Sequence, residues 1–311
     1  MARGCMLPPV CACESCAWRF TPPSGMPIRF PDGSTLGTVL VREEGEAVMD
    51  KIKPLAFVAA EIRTSYNPAL VKDETLAAIQ DRVGTLPVAR REHRQAIVVG
   101  GPPQPGQTVL RLMAADSTTS LTLAAGSITL ETTAYETVEV FTGLLEAALV
   151  AIGEVAPPQA VERVGLRYVN ELRVAVSIET PRQWESWVCP ELLAGLDGAT
   201  AALGAAGVDG VEFSGAQTVL SWQLSRHRAL VARFGPVFGP PAVGNDPLRR
   251  PVTPPDGPFF LVDLDGFWPS APASAEPYDP SSLLSTVREL HAPIEATFLW
   301  ATTKQFRKEV L

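Results

Sequence analysis

The run from Val161 to Leu172 sets two arginines around a glycine, as Arg163-Val-Gly165-Leu-Arg167. An extended backbone alternates its side chains with period two, so Arg163, Gly165 and Arg167 share one face and Val164, Leu166 and Tyr168 the other. Guanidinium forks pair bidentately with phosphate or carboxylate oxygens, and a residue without Cβ lets an anion come close to the backbone. The trio is therefore a candidate anion site. The same positions also suit ion pairing with carboxylates on neighbouring strands, Glu61 being an obvious candidate. A second feature is Leu261-Val-Asp263-Leu-Asp265-Gly266, in which two carboxylates project to one face of a strand. Paired carboxylates can hold Mg²⁺ for phosphoryl chemistry, but such sites draw further ligands from elsewhere, and none is identifiable here. Asp before Gly is also an ordinary strand end.

Four cysteines, Cys5, Cys11, Cys13 and Cys16, precede residue 20, and only Cys189 follows. Thiolates at short spacing can close a tetrahedral zinc shell. Cys11-x-Cys13 is too tight for the usual two-residue knuckle, however, and no second Cys or His pair follows. The histidines His93, His227 and His291 are scattered and spell no triad. Arg226-His-Arg228, Arg249-Arg250 and Arg90-Arg91 with Arg94 are local basic spots that would touch a nucleic-acid backbone if they converged. Trp184, Trp187, Trp222 and Trp268 suit either a core or a contact surface. No P-loop or dinucleotide-binding glycine fingerprint is present, and no cofactor is expected.

With 311 residues and 46% apolar composition the chain can bury a sizeable core. A net charge of -8 gives no global reason to bind duplex DNA or an anionic membrane. No apolar run approaches the roughly 20 residues that span a bilayer, and a cytoplasmic location is expected. Residues 1 to 48 read as a disordered extension or a mis-assigned start, with the folded body beginning near Met49.

The elements that must hold the candidate residues follow from periodicity. Leu55 to Arg63 reads as a buried strand ended by Asn67-Pro68, and Leu76, Ile79 and Val83 as a helix stripe capped by Asp73. Ala96 to Val99, Val109 to Met113, Leu121 to Leu123 and Ile128 to Thr132 read as an antiparallel meander. Thr133-Ala-Tyr-Glu136 has the form of a capping box before Val138, Phe141, Leu145, Leu149 and Ile152. After the strand through Arg167, Thr180-Pro181 opens a further helix. Val219 to Leu224 and Ala229 to Phe234 flank a tight turn, and Phe259 to Leu264 supplies another strand. Between them Gly235 to Pro258, rich in Pro and Gly, reads as an irregular loop or mobile flap. The last helix opens at Asp279-Pro280 and runs through Leu283, Val287, Leu290, Ile294 and Phe298, with a kink expected at Pro293 and a final short turn capped at Thr302. The class is α+β: a mainly antiparallel sheet with helices on one face, built from two similar, ferredoxin-like halves at 49–175 and 176–311.

Four stretches together resemble a known family: Pro54-Leu55 with Ala60-Glu-Ile-Arg63, Tyr135-Glu-Thr-Val-Glu-Val-Phe141, Glu162-Arg-Val-Gly-Leu-Arg-Tyr-Val-Asn170, and Leu290-His291 with Phe298. The chain from Pro54 onward is similar to a sporadically distributed bacterial family of unassigned function that shares an Arg-x-Gly-Leu-Arg-Tyr-x-Asn core. The resemblance brings no reaction, cofactor or catalytic residues. Its patchy distribution implies mobile-element, defence or toxin–antitoxin loci. The leading expectation is a non-enzymatic binding or accessory protein whose partner is another protein, with nucleic acid ranked behind. The alternative is an enzyme or ligand-binding protein acting on a phosphorylated or nucleic-acid substrate.

Overall fold

A computed structural model describes residues 52–94, 106–208, 210, 213, 215–269 and 275–311. Cys5, Cys11, Cys13 and Cys16, and the strand expected over 96–99, lie outside the described residues.

Among the described residues ten strands form one sheet: β1 Leu55–Thr64, β2 Val88–Arg94, β3 Gln107–Met113, β4 Thr119–Ala124, β5 Ser127–Thr132, β6 Ala160–Leu172, β7 Thr218–Leu224, β8 Arg228–Gly239, β9 Gly257–Trp268 and the two-residue β10 Glu276–Pro277. The described pairings are all antiparallel and run β2-β3-β4-β5-β1-β6-β9-β8-β7, with β10 beside β6. The helices are α1 Asp73–Val83, α2 Val138–Val155, α3 Leu196–Ala205, α4 Pro280–Ala301 and α5 Lys304–Glu309.

The expected α+β class with helices on one face holds. Along β1 burial alternates strictly, with Ala56, Val58, Ala60, Ile62 and Thr64 buried and their neighbours half-exposed. The buried face continues through Leu110 and Leu112, Leu121 and Leu123, Leu130, Leu166, Val262 and Leu264, Ala232 and Phe234. α1 packs on α2, α2 on α4, and α4 on β6, β8 and β9, so the apolar faces close a single core. At about 25 cal/mol per Å² of apolar surface removed from water, this is the dominant favourable term.

The element order is not that of two ferredoxin-like units. The first half, 49–175, runs β-α-β-β-β-β-α-β rather than the β-α-β-β-α-β of a ferredoxin-like unit. β1 and β6, both within 49–175, lie at the middle of the sheet. β5 pairs beside β1 and β9 beside β6; β4, β3 and β2 step outward on one side, β8 and β7 on the other. β1 and β6 pair with each other, with Glu61 opposite Gly165 and Ala59 opposite Arg167. The two halves are therefore one sheet over one core.

Several local expectations change. Asp73 is the first helical residue, not the cap: Lys72 holds the cap position without a side-chain bond, and Asp73 receives Arg91 Nη2 at 2.6 Å. α2 starts later than the Thr133 pattern implies, capped by Thr137, whose Oγ1 accepts from the Val140 N–H. Thr133 instead donates to the Thr118 carbonyl at 3.2 Å. Thr180-Pro181 opens a 3-10 turn, Pro181–Ser186, and Thr303 rather than Thr302 caps α5.

The segment read as an irregular loop or mobile flap is irregular over 240–256, but its two ends are strand. β8 continues through Gly235-Pro236 to Gly239, which lies opposite Gly257 at the start of β9. The remaining turn folds over the sheet and is tied down at its middle. Arg250 Nη1 meets Glu171 Oε1 at 2.8 Å, the Val243 N–H donates to the same oxygen at 3.1 Å, and the Arg249 N–H donates to the Ser117 carbonyl at 2.8 Å.

Candidate functional site

The face of the sheet opposite the helices carries the candidate residues, because period two throws Glu61, Arg163, Gly165, Arg167, Asp263 and Asp265 to the same side. The antiparallel register then makes them neighbours: Arg167 lies opposite Asp265 on β9, and Gly165 opposite both Glu61 on β1 and Phe267 on β9. Arg163 Nη1 bonds Glu61 Oε2 at 2.9 Å, and its Nη2 lies 3.6 Å from Asp265 Oδ2. Arg167 grips Asp263 with both prongs, at 2.7 and 2.8 Å. Arg63 on β1 and Arg233 on β8 join the same groups, at 3.2 Å from Glu61 and 3.3 Å from Asp263.

Gly165 has a specific role here. A Cβ at that position would lie 2.7 Å from Arg163 Nη1. The space above the glycine, which would admit an oxyanion, is filled by the guanidinium of Arg163 folding back over its own strand. It stacks 4.8 Å from the Phe267 ring while reaching Glu61. Arg-x-Gly is thus the sequence form of an arginine lying flat on a strand.

The two aspartates share a face, as their spacing requires, but differ in surroundings. Asp263 is buried beneath Arg167 and Arg233. Burial pushes the Asp265 carboxyl above its ordinary value, opposed by the pull of Arg163 and Arg167. Among the described residues no group of three or more His, Cys, Asp or Glu side chains is placed to hold a metal.

Two further polar clusters occupy this face. Arg111 on β3 is fully buried, 3.3 Å from Glu92 on β2 and 3.8 Å from Glu131 on β5. Glu171 at the end of β6 is buried between Arg173 and Arg250, with Arg173 Nη1 also donating to the Pro255 carbonyl at 3.0 Å. Sequence reading missed Arg111, Arg233 and Glu171. The usable signal was charge inside period-two apolar runs, as in Leu110-Arg-Leu112 and Ala232-Arg-Phe234, where every alternate residue belongs to the core.

The motif strand serves the other face as well. Tyr168 donates to the Tyr135 hydroxyl at 3.0 Å, with their rings 5.4 Å apart and edge-on. His291 of α4 packs 5.6 Å from Tyr168, and Phe141 of α2 lies 6.1 Å from Tyr135. Burial raises both tyrosine hydroxyls above their ordinary value, Tyr168 the more strongly. Tyr135, Phe141, Tyr168 and His291, from three of the stretches that carry the resemblance, therefore meet where β6, α2 and α4 join, and His291 is a packed residue. Of the basic spots, Arg226 and Arg228 converge on Glu289 of α4, Arg91 on Asp73 and Arg250 on Glu171. The three spots thus have three different carboxylate partners. Trp184 is fully buried against Phe260, whereas Trp222 on β7 is exposed.

The ends of the sheet differ in kind. β2, Val-Ala-Arg-Arg-Glu-His-Arg, is charged along its length, while β7, Thr-Val-Leu-Ser-Trp-Gln-Leu, has no charged residue. β7 ends the strand order, and no described backbone group bonds to it from its outer side. Val219 is 54% exposed and Trp222 37%. Among the described residues no helix is long and apolar enough to cross a membrane. No family model matches the chain, and no curated protein matches it.

Proposed function

We propose that the chain is a non-enzymatic binding or accessory protein that docks a protein strand along the outer edge of β7. The contrast between the two ends of one sheet carries this reading. Open strand edges recruit other chains, and charge is the ordinary guard against that. β2 has Arg90, Arg91 and Glu92 to guard it; β7 offers Val219 and Trp222 with no charge at all. In strand addition the main chain supplies affinity and alternate side chains supply specificity, and Trp is enriched at contact hot spots.

The polar face favours a protein over a polyanion as partner. Nucleic-acid backbones select surfaces with unbalanced positive charge, whereas Arg163, Arg167 and Arg233 face Glu61, Asp263 and Asp265. An enzyme or ligand-binding protein acting on a phosphorylated or nucleic-acid substrate would need its ligand to displace those carboxylates. The resemblance adds an association: a partner encoded in the same mobile-element, defence or toxin–antitoxin locus, meeting this protein in the cytoplasm. Affinity capture with the tagged full-length protein tests the reading. A stoichiometric protein partner, this chain itself included, should survive Arg91→Glu and be lost with Trp222→Lys. Retention by Trp222→Lys overturns the edge, and salt-sensitive nucleic-acid binding abolished by Arg163→Ala would favour the alternative.

A further inference from the structure

The occupant of the β7 edge can be read from the strand itself, an inference that rests on the docking role just proposed. We propose that β7 pairs antiparallel with β7 of a second copy, about a twofold axis through Ser221. Ser221 is the midpoint of Thr218–Leu224. Pairing about it sets Leu220 against Trp222 of the other copy, Val219 against Gln223, and Thr218 against Leu224. No pair opposes two charges, and the central flanking pairs are apolar, the cross-strand combination that stabilises sheets. Thr218, Leu220 and Trp222 sit opposite Phe234, Ala232 and Leu230 of β8, on the helix-covered side. A twofold axis perpendicular to the sheet keeps that side common to both copies.

A nearby feature of α4 extends the contact. Trp300 is 45% exposed and stands edge-on over Phe234, with ring centres 5.8 Å apart. Phe234 lies opposite Thr218, so Leu224 of the second copy would arrive beside that ring. Each copy contributes the same set, as an isologous interface requires.

The other end of the sheet explains why assembly would stop at two. The equivalent arrangement of β2 about its midpoint would set Arg91 against Arg91, a like-charge pair that destabilises a ladder. The joined sheet would therefore end in two charged β2 edges and offer no further uncharged one.

Sedimentation and a site-specific cross-link decide the matter. In a twofold ladder the two Ser221 Cα atoms lie about 4.5–5.5 Å apart, within disulfide reach, whereas two Gln223 positions lie four residues out of register, roughly 13 Å apart. Full-length protein should sediment as a dimer, and Ser221→Cys should oxidise to a covalent dimer while Gln223→Cys, on the same face, gives at least tenfold less. Leu220→Lys and Trp222→Glu should each be monomeric alone and associate when mixed, because the new charges oppose each other in this register. A monomer with no preferential Ser221→Cys cross-link overturns self-pairing. If that monomer still captures another protein in a Trp222-dependent way, the docking edge stands without the second copy. If capture is Trp222-independent, or absent, both readings fall.

Discussion

Arg163 lies back over Gly165 because that position has no Cβ, and this makes the pair testable as a unit. Gly165→Ala should cost about 1 kcal/mol by displacing the guanidinium from Glu61, and most of that cost should vanish in an Arg163→Ala background; chemical denaturation of the four proteins in the cycle measures it. Asp265 gives a pH-dependent expectation. Its folded pKa lies above the unfolded one, so the native state binds the proton more readily, and stability falls as pH rises from about 4 through the folded value. Asp265→Asn should therefore gain on the parent between about pH 4 and 7 and match it below, since Arg163 keeps its 2.9 Å bond to Glu61. A variant less stable than the parent at pH 7 would show the 3.6 Å contact with Arg163 to outweigh burial. Glu171→Gln is a different case. It strands Arg173 and Arg250, both buried, and should cost about 3–5 kcal/mol, with faster hydrogen exchange across 240–256.

The elements were set by local chemistry where one signal stood alone and shifted where two competed. The cap of α2 was read at Thr133, but Thr137 holds it while Thr133 is occupied at the end of β5 with the Thr118 carbonyl. Thr137→Ala should lower stability by about 1 kcal/mol through loss of the cap, visible as a shifted denaturation midpoint with an unchanged slope. β2 escaped periodicity because an edge strand needs only one partner and tolerates charge throughout. β8 was expected to stop at Gly235-Pro236, yet a strand accepts proline where its missing N–H would not enter a ladder. Gly235 is required there for a different reason: a Cβ would fall 1.8 Å from the Ala216 carbonyl oxygen, because the chain crosses directly above. Gly235→Ala should cost on the order of 3 kcal/mol, well above Gly165→Ala, since backbone cannot move aside as a guanidinium can.

For the whole molecule, the arrangement of the strands decides what the proposed partner would meet. β1 and β6 are central and covered by helices on one side, so their amides should be the slowest to exchange, and those facing outward from β7 among the fastest. A uniform protection pattern across the sheet would contradict an open β7 edge. On the polar side guanidinium groups and carboxylates are paired, several of them buried, and the turn that Glu171 anchors covers one end. Balance of this kind gives specificity in protein contacts more readily than affinity for polyanions.

By itself the sequence determined the class, the strand containing Arg163 and Arg167, the face those arginines share, and the apolar stripes of α2 and α4, because period two and period 3.6 are local properties of the backbone. It also indicated Glu61 as a partner for the arginines, since few other carboxylates lie in strand-like runs. Only the tertiary structure decided that Arg163 and not a ligand fills the space above Gly165, that Arg233 shares Asp263, and that the proline-rich turn is pinned by a buried Arg–Glu–Arg cluster. It also decided which uncharged strand ends the order among the described residues. Each of these depends on which strands are neighbours and in what register, and register is fixed by burying one whole face at once, across residues as far apart as Glu61 and Asp265.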